Sequence, residues 1–289
     1  MDETQRAIFT AGLRATYFDA LEGNLADIST IADSLQTTNI QEIFGWTDFL
    51  PEVKKFTGDI VEQQIGENKF TVNLEEYELS IVAAYRDIEA GKIASYNQQA
   101  RGGGREIGRF PAAEAYGLLA DGFTETGYDG KPYFSATHNW GGEVVSNLGT
   151  TALSEASLAE TITRIRRVKK VNGTPGFNAG ARYTLVVPPE LEKTALGLTT
   201  AQLRGGGNTN EFTLLTQIQV LVNDYQTRAK DWILYVNNAP TKPIVSIVRK
   251  QEDLNEIDDK RRRRTTYNSY IDMATTFGLW QVAYGHRVA

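Results

Sequence analysis

Residues 87–123 read DIEAGKIASYNQQARGGGREIGRFPAAEAYGLLADGF, the longest helical pattern in the chain. From Ile93, the small or apolar positions Ile93, Tyr96, Ala100, Gly103, Ile107 and Phe110 recur at alternating steps of three and four, one face of an α-helix. Asp87 stands where an N-cap belongs. Gly102, Gly103 and Gly104 each weaken a helix interior by about 1 kcal/mol relative to Ala, so tertiary contacts must hold the helix or it bends there. Pro111 imposes a second break. The spacing predicts two tandem helices, 88–109 and 111–121, the second with Pro at its first turn and Gly122 as its terminator. Downstream, Asp129-Gly130 predicts a turn and Pro132-Tyr133-Phe134-Ser135 a strand.

The order Arg86-Asp87-Ile88-Glu89, a Gly-interrupted helix, Leu118-Leu119-Ala120-Asp121-Gly122-Phe123 and then Tyr128 to His138 resembles the major head subunits of Mu-like phages and prophages, within the HK97-fold major capsid proteins. The run from Asp129 to His138 is its most specific part. A looser likeness runs from Trp46 to the C-terminus, with echoes at Leu185 to Glu190 and Trp232 to Tyr235. One departure is His138-Asn139, where the family often carries His-Pro, so the local turn is expected to differ.

The resemblance implies an α+β, HK97-like capsid fold. Its parts would be an N-terminal arm (1–47) across neighbouring subunits, an extended hairpin or E-loop (48–86), a peripheral domain (87–180 and 243–289) holding a long spine helix, and a central domain (181–242). It further implies a major capsid protein that self-assembles, as hexamers and pentamers, into an icosahedral shell around phage double-stranded DNA. Scaffolding, portal and decoration proteins would be its other partners, the bacterial cytoplasm its place of assembly and the virion its destination. The alternatives are an encapsulin-like nanocompartment and a soluble hydrolase using Ser135 and His138.

Read without the family, 289 residues suffice for one large or two modest domains with a substantial core. The 36 carboxylates against 30 Lys and Arg give no overall drive toward nucleic acid, which suits a shell that encloses DNA with only weak, non-specific contact. With no Cys there is no disulfide or thiolate chemistry, and two His are too few for a His-rich metal site. No apolar run approaches the ~20 residues that span a bilayer, and the first residues lack an apolar signal core, so a cytosolic protein without membrane contact is expected.

Phe9, Leu13, Tyr17 and Leu21 stand at strict i, i+4 spacing, an amphipathic stripe that something must cover, either a neighbouring subunit or the chain's own domain. Residues 22–41 show little regular pattern. From Phe49 to Arg86 the period changes to two: Phe56, Ile60 and Ile65, a turn signal at Gly66-Glu67-Asn68, then Phe70, Val72, Leu74, Tyr77, Leu79 and Ile81, a long hairpin marginal by itself. Trp140 to Thr151 reads as a surface loop. Ser154 opens a punctuated helix ending at Asn172-Gly173, whose last turns carry Arg164, Arg166, Arg167, Lys169 and Lys170. These cations complement the helix dipole or contact packaged DNA, and the dipole is the simpler account. Residues 183–187, 218–222, 232–236 and 244–248 read as strands, 190–203 as a helix, and 204–210 as a flexible loop, which the resemblance implies lies near the symmetry axis of a capsomer.

Tested for catalysis, Asp129, Ser135 and His138 supply triad residue types within ten positions, yet no G-x-S-x-G elbow accompanies them. No phosphate loop, dinucleotide fingerprint or metal motif is present, and neither an enzyme nor a cofactor is expected. The expected work is contact between subunits. Its candidates are the stripe Phe9, Leu13, Tyr17, Leu21, the hairpin tip Glu67, Asn68, Lys69, and the basic block Arg261, Arg262, Arg263, Arg264 that follows the acidic Glu252, Asp253, Glu256, Asp258, Asp259. Some shells of this fold join a Lys of the E-loop to a neighbour's Asn. Lys69 and Asn268 are the residues such a bond would use here, but the expected state is unlinked.

Overall fold

The computed structural model describes residues 3–45, 69–170, 173–176, 178–199, 218–251 and 254–289. Helix α1 (Glu3–Glu22) leads into strands β1 (Ala32–Gln36), β2 (Gln41–Gly45), β3 (Lys69–Asn73) and β4 (Glu75–Ala84). A short α2 (Tyr85–Glu89) and the long α3 (Ile93–Ala120) follow, then β5 (His138–Trp140), β6 (Glu143–Val145), β7 (Leu148–Gly149) and α4 (Glu155–Arg166). The chain continues through β8 (Tyr183–Val187), α5 (Glu192–Thr199), β9 (Ile218–Val222), β10 (Trp232–Val236), β11 (Ile244–Gln251), β12 (Asn255–Asp259), β13 (Arg264–Phe277) and β14 (Ala283–His286).

Two five-stranded sheets organise these elements. The first is built on β13, fourteen residues long, with β4 antiparallel along one side and β11 then β12 along the other; β1 adds to β11 in parallel. At β4 and β12 one face of this sheet is covered, so β4 alternates: Ile81 and Ala83 are buried under α1 and α3, while Val82 and, on β12, Ile257 face outward. The second sheet runs β7-β14-β10-β8-β9. Both of its faces are covered, which is why 183–187 and 232–236 are apolar without alternation and fully buried. Leu185, Val187, Trp232 and Leu234 pack with Leu158, Ile162 and Ile165 of α4, and Val186, Ile233 and Tyr235 with Ala115 and Leu119 of α3.

Helix α3 is therefore the spine: its first half packs on the first sheet and its last turns on the second. At ~1.5 Å rise per residue its 28 residues span roughly 42 Å. It is one helix, where a break at Pro111 is expected from sequence. The flanking Ile107, Ala112 and Ala115 are buried, and that packing offsets the single backbone bond a proline removes. The predicted start at 88 is also corrected. Gly91, at φ +72°, separates α2 from α3, and Asp87 lies inside α2, where its carboxylate takes Lys92 Nζ at 2.9 Å and the Tyr96 hydroxyl at 3.2 Å.

Other expectations shift in the same way. Residues 32–36, read as irregular, form β1, because their partner β11 lies over two hundred residues away. The ladder expected within 48–86 is divided: β3 pairs with β2, and β4 joins the first sheet along ten residues of β13. Residues 46–68, with Trp46, Phe56, Ile60, Ile65, Glu67 and Asn68, lie outside the described residues, as do the 204–210 loop, Asn172, Glu252 and Asp253. Residues 132–135 are no named strand; they bond back through Tyr133 N–H to Glu125 O and Phe134 N–H to Gly122 O. The supposed loop 140–151 holds the β5–β6 hairpin, turned by Gly141 and Gly142 at φ +59° and +81°. The second sheet takes β7 and β14 from the ranges 87–180 and 243–289 as well as β8, β9 and β10 from 181–242.

Candidate functional site

The apolar stripe of α1 is spent inside the chain. Phe9, Leu13 and Tyr17 are 3%, 0% and 0% exposed, so contact with a neighbouring subunit through them is corrected to packing on α3 and β13. Phe9 meets Tyr96 edge-on at 5.6 Å, the Tyr17 hydroxyl donates to Ser269 Oγ at 2.7 Å, and half-buried Leu21 closes the cluster. What lets the helices approach is the glycine run. A Cβ on Gly104 would meet Tyr17 O at 2.3 Å, and one on Gly108 would meet Asn24 O at 3.0 Å. These are tertiary contacts of the kind that the run Gly102 to Gly104 requires if the helix is to stay intact.

The basic block forms the turn between β12 and β13, with Arg263 in the left-handed region at φ +51°. Lys260, Arg261, Arg262 and Arg263 are exposed, and Arg264 is half-buried as the first residue of β13. The adjoining carboxylates are largely satisfied by the chain itself. Arg6 of α1 pairs with Glu256 at 3.2 Å and closely with Asp258, and Asp259 lies 3.7 Å from Arg262 and 4.0 Å from Arg264. The Tyr85 hydroxyl bond, then the charge of Arg6, hold the Asp258 carboxyl below its usual range. Arg6, absent from the sequence-based candidates, thus removes acidic partners from the basic turn. The turn is left with an excess of exposed cations.

Lys69 pairs through its backbone with Gly45, at the end of the β2–β3 ladder. Asn268, cast as its acceptor, is 6% exposed. Its Oδ1 accepts from Ser80 at 3.0 Å and its Nδ2 bonds the Tyr270 hydroxyl at 3.0 Å, so this amide is engaged within its own sheet.

The Asp129 to His138 run closes on a buried polar node centred on Asn147, which lies in a stretch whose sequence predicts only a surface loop. Asn147 Nδ2 reaches the carbonyls of Tyr133, Trp280 and Ala283 at 2.9 to 3.3 Å, and its Oδ1 accepts from Ser135 N–H at 2.8 Å. That fixes the amide orientation, so His138 Nε2, 3.1 Å from Oδ1, is the donor there. His138 Nδ1 lies 2.5 Å from Asp129 Oδ2, and its ring stacks on Trp280 at 4.1 Å and 8°. Both nitrogens are thus engaged away from Ser135, whose hydroxyl instead meets Thr137. The hydrolase pairing of Ser135 with His138 is corrected: the run is a clamp between the end of the spine helix and the second sheet. His286 is similarly enclosed, stacked on Trp232 at 3.9 Å and bonded to Thr151 and Thr161. Burial pulls its imidazole down to about 4.

Among the described residues no group of three His, Asp or Glu is placed to hold a metal, and no helix is long and apolar enough to cross a membrane.

Comparison with known proteins bears on these features. The family described as Mu-like prophage major head subunit gpT matches residues 6–156 and 148–226. The major capsid protein of Escherichia phage Mu is 24% identical over 125 residues, 43% of this chain and 41% of that protein, so the chain aligns with about two fifths of that relative's length. Among solved structures, a subunit of the bacteriophage JBD30 procapsid superposes with TM-score 0.57 at 15% identity, covering 99% of this chain and 75% of the other. The Ralstonia phage GP4 capsid subunit gives 0.55 at 12% identity over 90% and 87%, and the virus-like particle from Pyrococcus furiosus 0.52 at 10% over 96% and 98%. At these identities the likeness is one of fold, an α+β, HK97-like capsid fold.

Proposed function

We propose that this chain, which belongs to the Mu-like prophage major head subunit gpT family, is a major capsid protein that assembles, as hexamers and pentamers, into the icosahedral shell around phage double-stranded DNA. The observation that carries this reading is the family match across 6–226 together with a capsid fold over nearly the whole chain. The geometry supports it in kind. Two sheets share one spine helix, and the exposed basic turn at 260–263 would suit a neighbour's acidic edge. In this reading the β2–β3 ladder begins the E-loop, the first sheet with α1 and α3 forms the peripheral domain, and the second sheet with α4 and α5 forms the central one. Scaffolding, portal and decoration proteins are the expected partners, and assembly takes place in the bacterial cytoplasm before the subunit enters the virion. The net charge of −6 argues for weak, non-specific contact with the packaged DNA.

The similarity to the virus-like particle subunit favours a second reading, a shell around protein cargo. Negative-stain microscopy of the purified protein tests both. Closed shells are expected, and nuclease-protected DNA in particles from the producing cell selects the first reading. Small discrete oligomers under all assembly conditions would sink both.

A further inference from the structure

A cavity of about 260 Å³ opens between the β5–β6 hairpin, the end of α4 and the turn at 280–282. Val145, Ile165, Val168 and Trp280 give it an apolar floor. Its rim carries Arg164, Arg167, Lys169 and Lys170 against one carboxylate, Glu143, an excess of three positive charges in a chain whose net charge is −6. The hairpin is fastened over the helix end by Trp140 Nε1, which donates to Lys169 O at 2.8 Å.

Helix-dipole complementarity accounts for Arg164 and Arg166, which lie in the last turn. It does not account for Lys169 and Lys170, which lie beyond the helix. Glu160 takes Arg164 at 2.8 Å and Glu143 takes Lys169 at 3.2 Å. No carboxylate contact is made by Arg167 or Lys170 among the described residues, and Arg167 is exposed. Four basic residues around an apolar hollow repel one another, and a single carboxylate on the rim offsets only part of that.

The lining points to the class of ligand: a hollow of this size accommodates a single bulky apolar side chain, and its cationic rim suits carboxylates flanking that side chain. A DNA duplex would satisfy the cations and leave the apolar floor empty. We infer that the cavity receives one aromatic or aliphatic side chain from an acidic peptide segment of a partner protein, whose flanking carboxylates lie on Arg167 and Lys170. Apolar anchor and charged rim then divide the work as they do in other protein interfaces, the anchor supplying affinity and the rim register.

The test is a fluorescence-anisotropy titration of the full chain with a labelled synthetic peptide carrying one Phe between runs of Asp and Glu. It does not depend on whether shells form. Saturable binding is expected. It should weaken about tenfold when the Phe is replaced by Ser, and about tenfold in the Arg167→Glu, Lys170→Glu variant, whose fold is checked by circular dichroism. If that variant fails to fold, Arg167→Glu alone serves, since its side chain is exposed. Equal binding of the Ser peptide, unchanged binding by the variant, or no saturable binding overturns the inference. So does tighter binding of oligothymidylate of equal charge, which would make the cavity a nucleic-acid site.

Discussion

The carbonyl oxygen of Tyr17 lies 2.3 Å from where a Cβ would stand on Gly104, so at that crossing α1 and α3 meet backbone to backbone. Gly104→Ala should cost roughly 1–3 kcal/mol through overpacking, although Ala is the better helix former. Gly102, two residues away, has nothing within 4 Å of its added Cβ, and Gly102→Ala should instead stabilise by about 0.5–1 kcal/mol. Thermal unfolding of the two variants is expected to shift in opposite directions, and shifts of the same sign would deny the seam.

Asn147 satisfies three buried carbonyls, one buried N–H and one ring nitrogen at once. Asn147→Ala should therefore destabilise by roughly 2–4 kcal/mol, since several groups lose their partner together and each unsatisfied group costs about 1–3 kcal/mol. Urea unfolding measures it; a loss under about 1 kcal/mol would mean that water replaces the amide.

His286 carries a pH dependence whose sign follows from its burial. Its folded imidazole titrates at about 4, below the ordinary 6.5, so between those values the unfolded chain holds a proton that the folded chain lacks. Stability from this site is complete above pH 6.5 and falls as pH drops from 6.5 to 4. In His286→Gln the decline in unfolding midpoint across that window should be shallower than in the parent. An equally steep decline would place the acid sensitivity elsewhere.

Arg262 and Arg263 are exposed on a turn where Glu256 and Asp258 already serve Arg6 and Asp259 lies 3.7 Å from Arg262, an excess of cations that suits a neighbour's acidic edge. Arg262→Glu with Arg263→Glu should block shell closure while the subunit's circular dichroism stays unchanged. Parent shells should loosen in 1 M salt, where the Debye length is ~3 Å. Normal shell yield and parental salt tolerance in the double variant would make the turn a merely solvated one.

Where sequence and structure agree, the signal is local. Ser154 and Ser157 cap α4 reciprocally as their spacing says, and 183–187, 218–222 and 232–236 are strands because each is a short apolar run bounded by turn residues. Where they differ, the deciding partner is remote. Residues 32–36 carry no strand pattern of their own and are ordered by β11. Arg6 reads as one more charge on an exposed helix until Asp258 is brought beside it. Glycines 103, 104 and 108 weaken an isolated helix, yet in the packed one they are what admits Leu79, α1 and the chain after it. Asn147, in a stretch that reads as a loop, has no sequence pattern to mark it. The Asp129 to His138 run drew notice for its chemistry, and its use is to fasten two layers together.

The first sheet has a consequence for timing. β4 finds its partner nearly two hundred residues downstream, and Arg6 bonds Asp258 across 252 positions. Contacts so distant in sequence form late and slowly. Until β12 and β13 are synthesised, α1 can pack only on β4, α2 and α3, and β4 lacks the strand it pairs with. The basic turn at 260–263 is likewise among the last segments synthesised. The first sheet is therefore complete only once β13 has closed onto β4, and a chain terminated before residue 264 would lack the strand that joins β4 to β11 and β12.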